Sequence, residues 1–343
     1  GEWAERLIGG WWAGWMTLPR RIGDRIAPLV GAAPGEILAA DSTSVNLFKL
    51  AAAALEARPE RPVVLTEADN FPTDLYILDG LAATPGRRIA VRRLPRDALP
   101  EAITEDVACV VLSHVHYRTA AMWDMAAINA RARAAGTLTL WDLSHSAGAL
   151  AVDLDGTGAD LAVGCGYKFL NGGPGAPAFL FVARRHQAHL SSPLPGWMGH
   201  ARPFDFSPDY EPAGDIARFA CGTPPVLALT ALDAALAAFE GVDMAALAAK
   251  AQRLGDLFIR LTEDLPGIRL ISPRAGSSRG AQVSLAHPEA ADIMERLIAE
   301  HRVIGDFRPP DILRFGLAPL YTRFVDIYDA AHTLGALLTD RDS

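Results

Sequence analysis

The 343-residue sequence has little cysteine, little lysine and no hydrophobic run long enough to cross a membrane. Its three cysteines, Cys109, Cys165 and Cys221, show no C-x-x-C spacing, which excludes a disulfide framework and favours reduced thiols in a cytoplasmic protein. The longest uncharged N-terminal run, residues 7–19, is too short for a membrane span and lacks the basic start of a signal peptide. We therefore expect a cytoplasmic protein without a membrane segment.

Several function classes are excluded by what the sequence does not contain. The net charge of −8 leaves no basic surface for nucleic acid, and no basic stretch compensates for it. No H-E-x-x-H or other tight His/Cys/Glu cluster suggests a metal site, and there is no G-x-S-x-G elbow, dinucleotide fingerprint or phosphate loop. Half of the residues are hydrophobic and 21% are charged, as in a well-packed globular enzyme.

The first part of the chain alternates short apolar runs with longer amphipathic ones, from about residue 35 to 183. Strands alternating with helices predict crossover units and a mainly parallel sheet with helices on both faces. Ligands bind at the carboxyl ends of the strands in such a sheet. The predicted strands are 63–66, 89–91, 108–112, 137–141, 161–163 and 178–182, and the predicted helices are 45–57, 73–82 and 125–135.

A different pattern follows and predicts a smaller α+β domain. Its predicted elements are helices at about 226–239 and 243–264, strands at 268–270 and 282–285, a helix at 288–299, strands at 303–305 and 312–315, and a helix at 323–338. A chain of this length exceeds one ordinary core. We expect a large domain at 35–239 and a small domain made of 1–34 and 240–343.

Two polar residues that follow predicted strands carry the chemistry. Asp142 comes directly after strand 137–141, where a carboxylate can pair with a pyridinium nitrogen, although an ordinary loop or helix-capping carboxylate is the alternative. Lys168 lies between Tyr167 and Phe169 in a glycine-rich run. Desolvation lowers an amine's pKa, as a Schiff-base lysine requires, whereas a lysine with its stem along an apolar surface is the alternative. The pair indicates a pyridoxal-phosphate (PLP) enzyme with Lys168 bound to the cofactor.

Four further groups fit such a site, each with a structural alternative. Residues 41–46 precede an apolar helix whose N-terminus favours a phosphate, or simply caps that helix. Residues 71–74 offer an aromatic face, or an ordinary Pro at a helix start. Trp197 on a glycine-rich loop is either an interface residue or a phosphate donor. Arg314 inside an apolar strand requires a carboxylate, of a substrate or of a neighbouring aspartate.

These segments together resemble kynureninases, which are fold-type-I PLP enzymes of the class V aminotransferase group. The resemblance runs in order across nearly the whole chain. Tyr-Lys-Phe-Leu-Asn-Gly-Gly-Pro-Gly at 167–175 and Gly-Trp-Met-Gly-His at 196–200 are its most specific runs, and the Asp-x-x-His pair at 142 and 145 is shared by the wider group. The fold implied is fold-type-I α/β, with a large domain of mainly parallel sheet and a smaller α+β domain.

The activity implied by the resemblance is hydrolysis of L-kynurenine to anthranilate and L-alanine by Cβ–Cγ cleavage, within tryptophan degradation and NAD biosynthesis. The catalytic residues implied are Lys168 as the Schiff-base lysine, Asp142 at the pyridine nitrogen and Tyr167 as a proton donor, with Arg314 binding the substrate carboxylate. A homodimer with a shared active site is also implied. The residues implied to contact the cofactor are Thr43, Ser44, Phe71, Pro72, Thr73, Asp74, Ser113, Asp142, His145, Tyr167, Lys168, Trp197 and Thr223.

Two positions depart from relatives of the family. Thr223 stands where animal relatives carry Asn, which favours kynurenine over its 3-hydroxy form but leaves the latter as a possible substrate. After Tyr117-Arg118-Thr119 the resemblance leads us to expect a glycine, and the chain has Ala120.

Three other functions stay open at the level of sequence. A cysteine desulfurase requires an activated cysteine on a mobile loop. Cys109 and Cys165 are predicted on or beside strands, which leaves Cys221 before a rigid Thr-Pro-Pro. An aminotransferase shares the early steps of the reaction and is not separated by mechanism alone. A non-enzymatic module on the same fold is disfavoured because Lys168, Asp142 and Arg314 are all present.

Overall fold

The computed structural model describes residues 2–86 and 88–339. The described chain forms two compact units. The first comprises the chain up to Ser113, Asp124–Ala147 and Val152–Glu240, and the second comprises His114–Trp123, Gly148–Ala151 and the chain from Gly241 onward. Each unit has its own sheet.

A seven-stranded sheet forms the centre of the first unit. Its strands are β1 (Ile37–Ala39), β2 (Val63–Glu67), β3 (Ala90–Leu94), β4 (Val107–Ser113), β5 (Leu138–Asp142), β6 (Leu161–Cys165) and β7 (Ala178–Val182). Their spatial order is β1-β7-β6-β5-β4-β2-β3, and β2 to β6 run parallel while β7 and β1 are antiparallel to their neighbours. The central strands are buried on both faces, as expected of parallel strands covered by helices. The predicted α/β sheet is confirmed.

Helices and short turns of 3-10 or π helix connect these strands. The α-helices of the first unit are α1 (Glu2–Arg6), α2 (Leu18–Ile26), α3 (Thr43–Glu56), α4 (Pro72–Ala82), α5 (Met125–Ala134), α6 (Leu154–Thr157), α7 (Arg184–Gln187) and α8 (Val226–Ala235). Its 3-10 helices are Leu7–Gly10, Ala27–Leu29, Pro100–Ala102, Trp197–Gly199, Pro203–Asp205, Ile216–Phe219 and Leu236–Phe239, and Trp11–Trp15 is a π helix. Side chains cap the starts of α3 and α5, where Ser42 accepts from Val45 N and Asp124 from Ala127 N.

The second unit is a four-stranded antiparallel sheet with three long helices. Its strands β8 (Arg269–Leu270), β9 (Gln282–Ala286), β10 (Asp306–Arg308) and β11 (Ile312–Gly316) lie in the order β10-β11-β9-β8. The helices are α9 (Met244–Thr262), α10 (Ala290–His301) and α11 (Phe324–Thr339), and a 3-10 turn spans Gly276–Ser278. This is the α+β arrangement that the sequence predicts. Within the described ranges, no helix combines the length and apolar character of a membrane span.

Two expectations from the sequence are corrected by the structure. Residues 1–34 were expected in the small domain, but this segment belongs to the first unit because α2 packs against β1. Gly23 lies so close to β1 that a Cβ there would stand 2.1 Å from the carbonyl oxygen of Ile37. The strand expected at 303–305 begins at Asp306, because α10 continues to His301 and Arg302 ends it with a φ of 58°.

Candidate active site

The carboxyl ends of the parallel strands carry the predicted site residues. Ser113 ends β4 and Asp142 ends β5, and the two residues are directly paired in register. Phe71 follows β2, and Lys168 follows β6 by three residues. Parallel strands end at the same edge of a sheet, so their loops converge on one side of it. The first unit therefore gathers most of the predicted cofactor contacts at one edge.

Asp142 is a buried carboxylate with a fixed orientation. Its Oδ1 accepts a hydrogen bond of 2.8 Å from Ser144 N and one of 2.6 Å from Ser144 Oγ. Burial raises the pKa of Asp142, while the Ser144 hydrogen bonds and the nearby charge of Lys168 oppose that rise. The carboxylate is thus held in place by one serine and interacts electrostatically with the predicted cofactor lysine.

The amine of Lys168 lies among the groups that the sequence predicts around it. Its Nζ is 3.2 Å from Nε2 of His145 and 6.0 Å from the centroid of the Phe71 ring. The side chain is half-buried, and its neighbour Tyr167 is half-exposed. The amine is therefore sheltered at the sheet edge and open on one side, as an amine that exchanges partners must be.

The turn after Lys168 explains the glycines around it. Asn171 N donates to Lys168 O at 2.9 Å, and Asn171 adopts a φ of 63°. Gly172 N donates to Gly166 O at 2.9 Å, and a Cβ at Gly172 would stand 2.8 Å from that oxygen. The backbone closes into a tight loop that no larger residue at 172 permits. This loop fixes the position of the lysine relative to β6.

Asp74 supplies a second buried carboxylate in the first turn of α4. It is 3% exposed, and its Oδ2 is buried without a hydrogen-bond partner in the described chain. Burial raises the pKa of Asp74 well above the ordinary value, the charge of Asp142 raises it further, and Lys168 lowers it. A buried oxygen without a partner is costly. The arrangement therefore fits a bound group that donates a hydrogen bond to Asp74.

Thr43 and Ser44 lie in the first turn of α3, as the phosphate hypothesis requires. Both side chains are partly exposed. Val45 N is already occupied by the capping Ser42 at 3.3 Å. The helix start thus offers hydroxyls and a positive dipole end to an anion.

Asn70 is a site residue that sequence reasoning missed. It is 1% exposed, and its Oδ1 accepts from Ser113 Oγ at 2.7 Å and from Phe71 N at 2.8 Å. Its Nδ2 donates to Thr66 Oγ1 at 3.2 Å. One amide therefore positions two predicted cofactor contacts. An asparagine placed between a strand end and an aromatic residue was the available signal.

Trp197 and Thr223 are not joined to Lys168 or Asp142 by any hydrogen bond or ring contact of the described residues. Trp197 instead packs edge to face against Trp11, at 6.3 Å between centroids, and against Phe204, at 5.8 Å. Thr223 is exposed. Their predicted role in the site stays a prediction.

Arg314 lies on β11 of the second unit and is 8% exposed. Its Nε donates to Asp306 Oδ1 at 2.9 Å, and its Nη1 donates to the carbonyl oxygen of Tyr117. Of the two partners that the sequence left open, a neighbouring aspartate is the one present in the structure. Asp306 is itself partly exposed, so water can replace the arginine as its partner.

Comparison with known proteins identifies the family. A family model described as kynureninase C-terminal domain matches residues 247–334. The chain is 51% identical over 348 residues to the kynureninase of Deinococcus radiodurans, which covers 99% of this chain and 84% of that protein. It is 50% identical over 346 residues to the kynureninase of Burkholderia pseudomallei strain 1106a, with coverages of 98% and 83%. The chain belongs to the kynureninase family. The family expected from the sequence is confirmed.

Solved structures agree with this assignment at the level of fold. A C-DES variant with glycine covalently linked to its PLP cofactor aligns with a TM-score of 0.81 and 19% identity, covering 96% of this chain and 86% of that one. An apo cysteine desulfurase from Thermococcus onnurineus NA1 aligns with a TM-score of 0.79 and 18% identity, covering 94% and 84%. The fold-type-I architecture is confirmed. At these identities the likeness shows the fold alone, whereas the two kynureninases are identical to this chain at about half of the aligned positions.

The cysteines of this kynureninase-family chain disfavour desulfurase chemistry. Cys109 and Cys165 are buried in β4 and β6, and burial raises the pKa of both thiols. Cys221 is half-buried, burial raises its pKa as well, and its Sγ lies 3.2 Å from Leu194 O. None of the three is an activated thiol on an open loop.

Proposed function

We propose that this chain hydrolyses L-kynurenine to anthranilate and L-alanine, with PLP bound covalently at Lys168. The observation that carries the proposal is the environment of one amine. Lys168 Nζ stands 3.2 Å from His145 and interacts electrostatically with Asp142 and Asp74. Among the described residues this combination of lysine, paired carboxylates and histidine suits a pyridine aldehyde, and kynureninase relatives at about 50% identity supply the reaction.

Each residue at the sheet edge suits one part of the cofactor. Asp142 would hold the ring nitrogen, and Phe71 would stack on the ring. His145 and Ser113 would face its substituents. The phosphate would be bound by Thr43, Ser44 and the start of α3. The unpartnered oxygen of Asp74 would accept a hydrogen bond from a donor other than the phosphate. Pro72 and Thr73 contribute the backbone that begins α4. Bound PLP supplies an electrophilic aldehyde and an electron sink.

The chain's own groups move the protons. With PLP bound, Lys168 Nζ would be the base that takes the substrate's α-proton. Ser144 donates two hydrogen bonds to Asp142, which favour the charged carboxylate that would pair with the ring nitrogen. Burial raises the pKa of Tyr167, and the neighbouring Cys165 and Asp142 raise it further. The phenol therefore keeps its proton at neutral pH and can donate it during carbon–carbon cleavage.

Arg314 would bind the substrate's α-carboxylate. Its planar guanidinium now faces Asp306, so binding exchanges one carboxylate for another. The released Asp306 can hydrate because it is partly exposed. Asp306 also keeps the arginine in its bidentate orientation between turnovers.

A homodimer with Trp197 and Thr223 reaching the partner's site is part of the proposal. Aromatic and aliphatic side chains around Trp197 are exposed, among them Trp12 at 72% and Phe206 at 77%. An exposed aromatic patch of this kind marks an interaction surface. A cytoplasmic location, a place in tryptophan degradation and NAD biosynthesis, and a preference for kynurenine over 3-hydroxykynurenine through Thr223 complete the proposal.

Fluorescence detection of anthranilate tests the function directly. Purified protein with added PLP and L-kynurenine should produce anthranilate and alanine in equal amounts. Lys168→Ala should abolish the product and the yellow colour that survives gel filtration. Parallel reactions with cysteine, and with an α-keto acid acceptor, measure desulfuration and transamination. Either of those products in place of anthranilate would assign the chain to the other chemistry.

A further inference from the structure

Lys49 is a charged residue for which the proposed chemistry has no use. It lies on the inner face of α3 and is fully buried. Its Nζ donates to Asp41 Oδ2 at 2.7 Å and to Phe219 O at 2.7 Å. Burying an ammonium group costs several kcal/mol unless its partners satisfy it. Asn46 is the one other polar side chain among the buried residues of this helix, so the full burial of a charged lysine here indicates a specific structural role.

The first partner, Asp41, holds a strained turn just before α3. Asp41 adopts a φ of 52°, a left-handed conformation uncommon outside glycine. It separates β1 from the capping Ser42, and Asn46 Nδ2 donates to Ala40 O at 2.8 Å on the same turn. Lys49 and Asn46, two inward side chains of α3, thus both donate hydrogen bonds to the turn that leads into the helix. The geometry of this turn decides where the first amides and hydroxyls of α3 point.

The second partner belongs to the segment that leads to Thr223. Beyond Phe219, Cys221 O accepts from Met198 N at 3.2 Å, and a Cβ at Gly196 would stand 2.3 Å from the same oxygen. The 219–223 segment is therefore packed directly against the loop that carries Trp197. The ammonium group of Lys49 therefore links the 219–223 segment, and through it the Trp197 loop, to the turn before α3.

We propose that Lys49 is a positioning residue for the phosphate of the cofactor. By binding Asp41 and Phe219 O together, it sets the start of α3 relative to the segments of Trp197 and Thr223. This inference rests on the proposed function, in which the phosphate binds at Thr43, Ser44 and the start of α3, here called the phosphate seat. It predicts that loss of Lys49 weakens recognition of the phosphate group selectively, while the ring side of the site, built on β2, β4, β5 and β6, is retained.

Binding of two ligands to the apoprotein separates this role from general stability. The probes are PLP and pyridoxal, which lacks the phosphate, each titrated by absorbance and followed by borohydride reduction and peptide mapping at Lys168. For Lys49→Met we expect the affinity for PLP to fall by about tenfold to a hundredfold, the range of a lost charge-assisted hydrogen bond. The affinity for pyridoxal should stay within about threefold. Lys250→Met, in the second unit, is the matched lysine control and should behave as wild type.

Each outcome bears on a different claim. If wild type binds pyridoxal as tightly as PLP, the phosphate seat at α3 is wrong. If wild type discriminates and Lys49→Met discriminates equally well, only the role of Lys49 is wrong. Equal losses for both ligands would assign Lys49 to general stability and overturn the proposal. Should Lys49→Met not fold, Asp41→Asn tests the same link, and unchanged PLP affinity in that variant refutes it.

Discussion

Ser144 offers a way to change the proton affinity of Asp142 without altering a group that reacts. Its hydroxyl donates to Asp142 Oδ1 at 2.6 Å, and its backbone N–H donates to the same oxygen at 2.8 Å. Replacing Ser144 with Ala removes the first bond and leaves the second. The hydroxyl stabilises the charged carboxylate, so its loss must raise the pKa of Asp142 above the value that burial already imposes.

The size of the shift follows from the strength of the bond. A hydrogen bond to a charged group contributes about 1.5–3 kcal/mol, and 1.36 kcal/mol corresponds to one pKa unit. Partial compensation by water entering the space of the lost hydroxyl reduces this. We therefore expect the pKa of Asp142 to rise further in Ser144→Ala.

The assay is the pH dependence of kcat/KM for kynurenine cleavage. The proposed mechanism requires Asp142 in its charged form, so activity falls on the acid side as the carboxylate gains a proton. In Ser144→Ala the acid limb should move to higher pH by about one unit, while the rate above it changes much less. Ser144→Thr keeps a hydroxyl and should leave the limb near its wild-type position.

Three results would contradict this reasoning. An acid limb that stays in place in Ser144→Ala means that Asp142 is not the group whose charge the reaction requires. An equal displacement in Ser144→Thr means that the serine acts through packing and not through its hydrogen bond. A uniform loss of rate at every pH would place Ser144 among residues that merely hold the loop.

Three further predictions concern stability, each measured by urea unfolding. Ala120 adopts a φ of 62°, so Ala120→Gly should relieve strain and raise the free energy of unfolding by about 0.5–1 kcal/mol, and a decrease would contradict this. Burial, with the charge and hydrogen bond of Glu36, raises the pKa of Asp155 to about 6. The stability that the protonated Asp155 contributes is present below pH 4 and is lost as pH rises through 6. The free energy of unfolding of Asp155→Asn should therefore exceed that of wild type at pH 7.5, by at most about 1 kcal/mol because the group is exposed. At pH 4 the variant should show no gain. Gly23→Ala should destabilise by about 2 kcal/mol or more, because its Cβ would stand 2.1 Å from the Ile37 oxygen, and a neutral result would show that α2 moves freely on β1.

Ala120 also shows a backbone requirement that the sequence pattern alone does not reveal. The expected glycine was absent, and the sequence alone gave no reason. In the structure Ala120 N donates to His116 O at 2.9 Å, which closes a tight turn with a left-handed residue at its end. A glycine at this position would meet that requirement without strain, whereas this chain meets it with alanine at some cost in stability.

The residues that could be predicted are those with a fixed relation to a strand end. Asp142, Lys168 and Phe71 follow buried strands, and the carboxyl ends of parallel strands meet at one edge. Hydrophobic runs located these strands to within a few residues. The N-terminal segment was assigned to the wrong domain because an amphipathic helix such as α2 does not by itself indicate which sheet it covers.

The residues that could not be predicted act through another residue. Asn70 and Ser144 orient predicted site residues, and Lys49 joins two segments that lie far apart in the chain. Lys49 is the clearest example. From the sequence, a lysine in a helix is expected to be exposed to solvent. Its burial is explained only by its contact with Phe219, which lies 170 positions later in the chain. Such contacts depend on tertiary packing, which periodicity does not record. If the proposed role of Lys49 holds, the phosphate seat is determined by a segment far along the chain as much as by the turn that forms it.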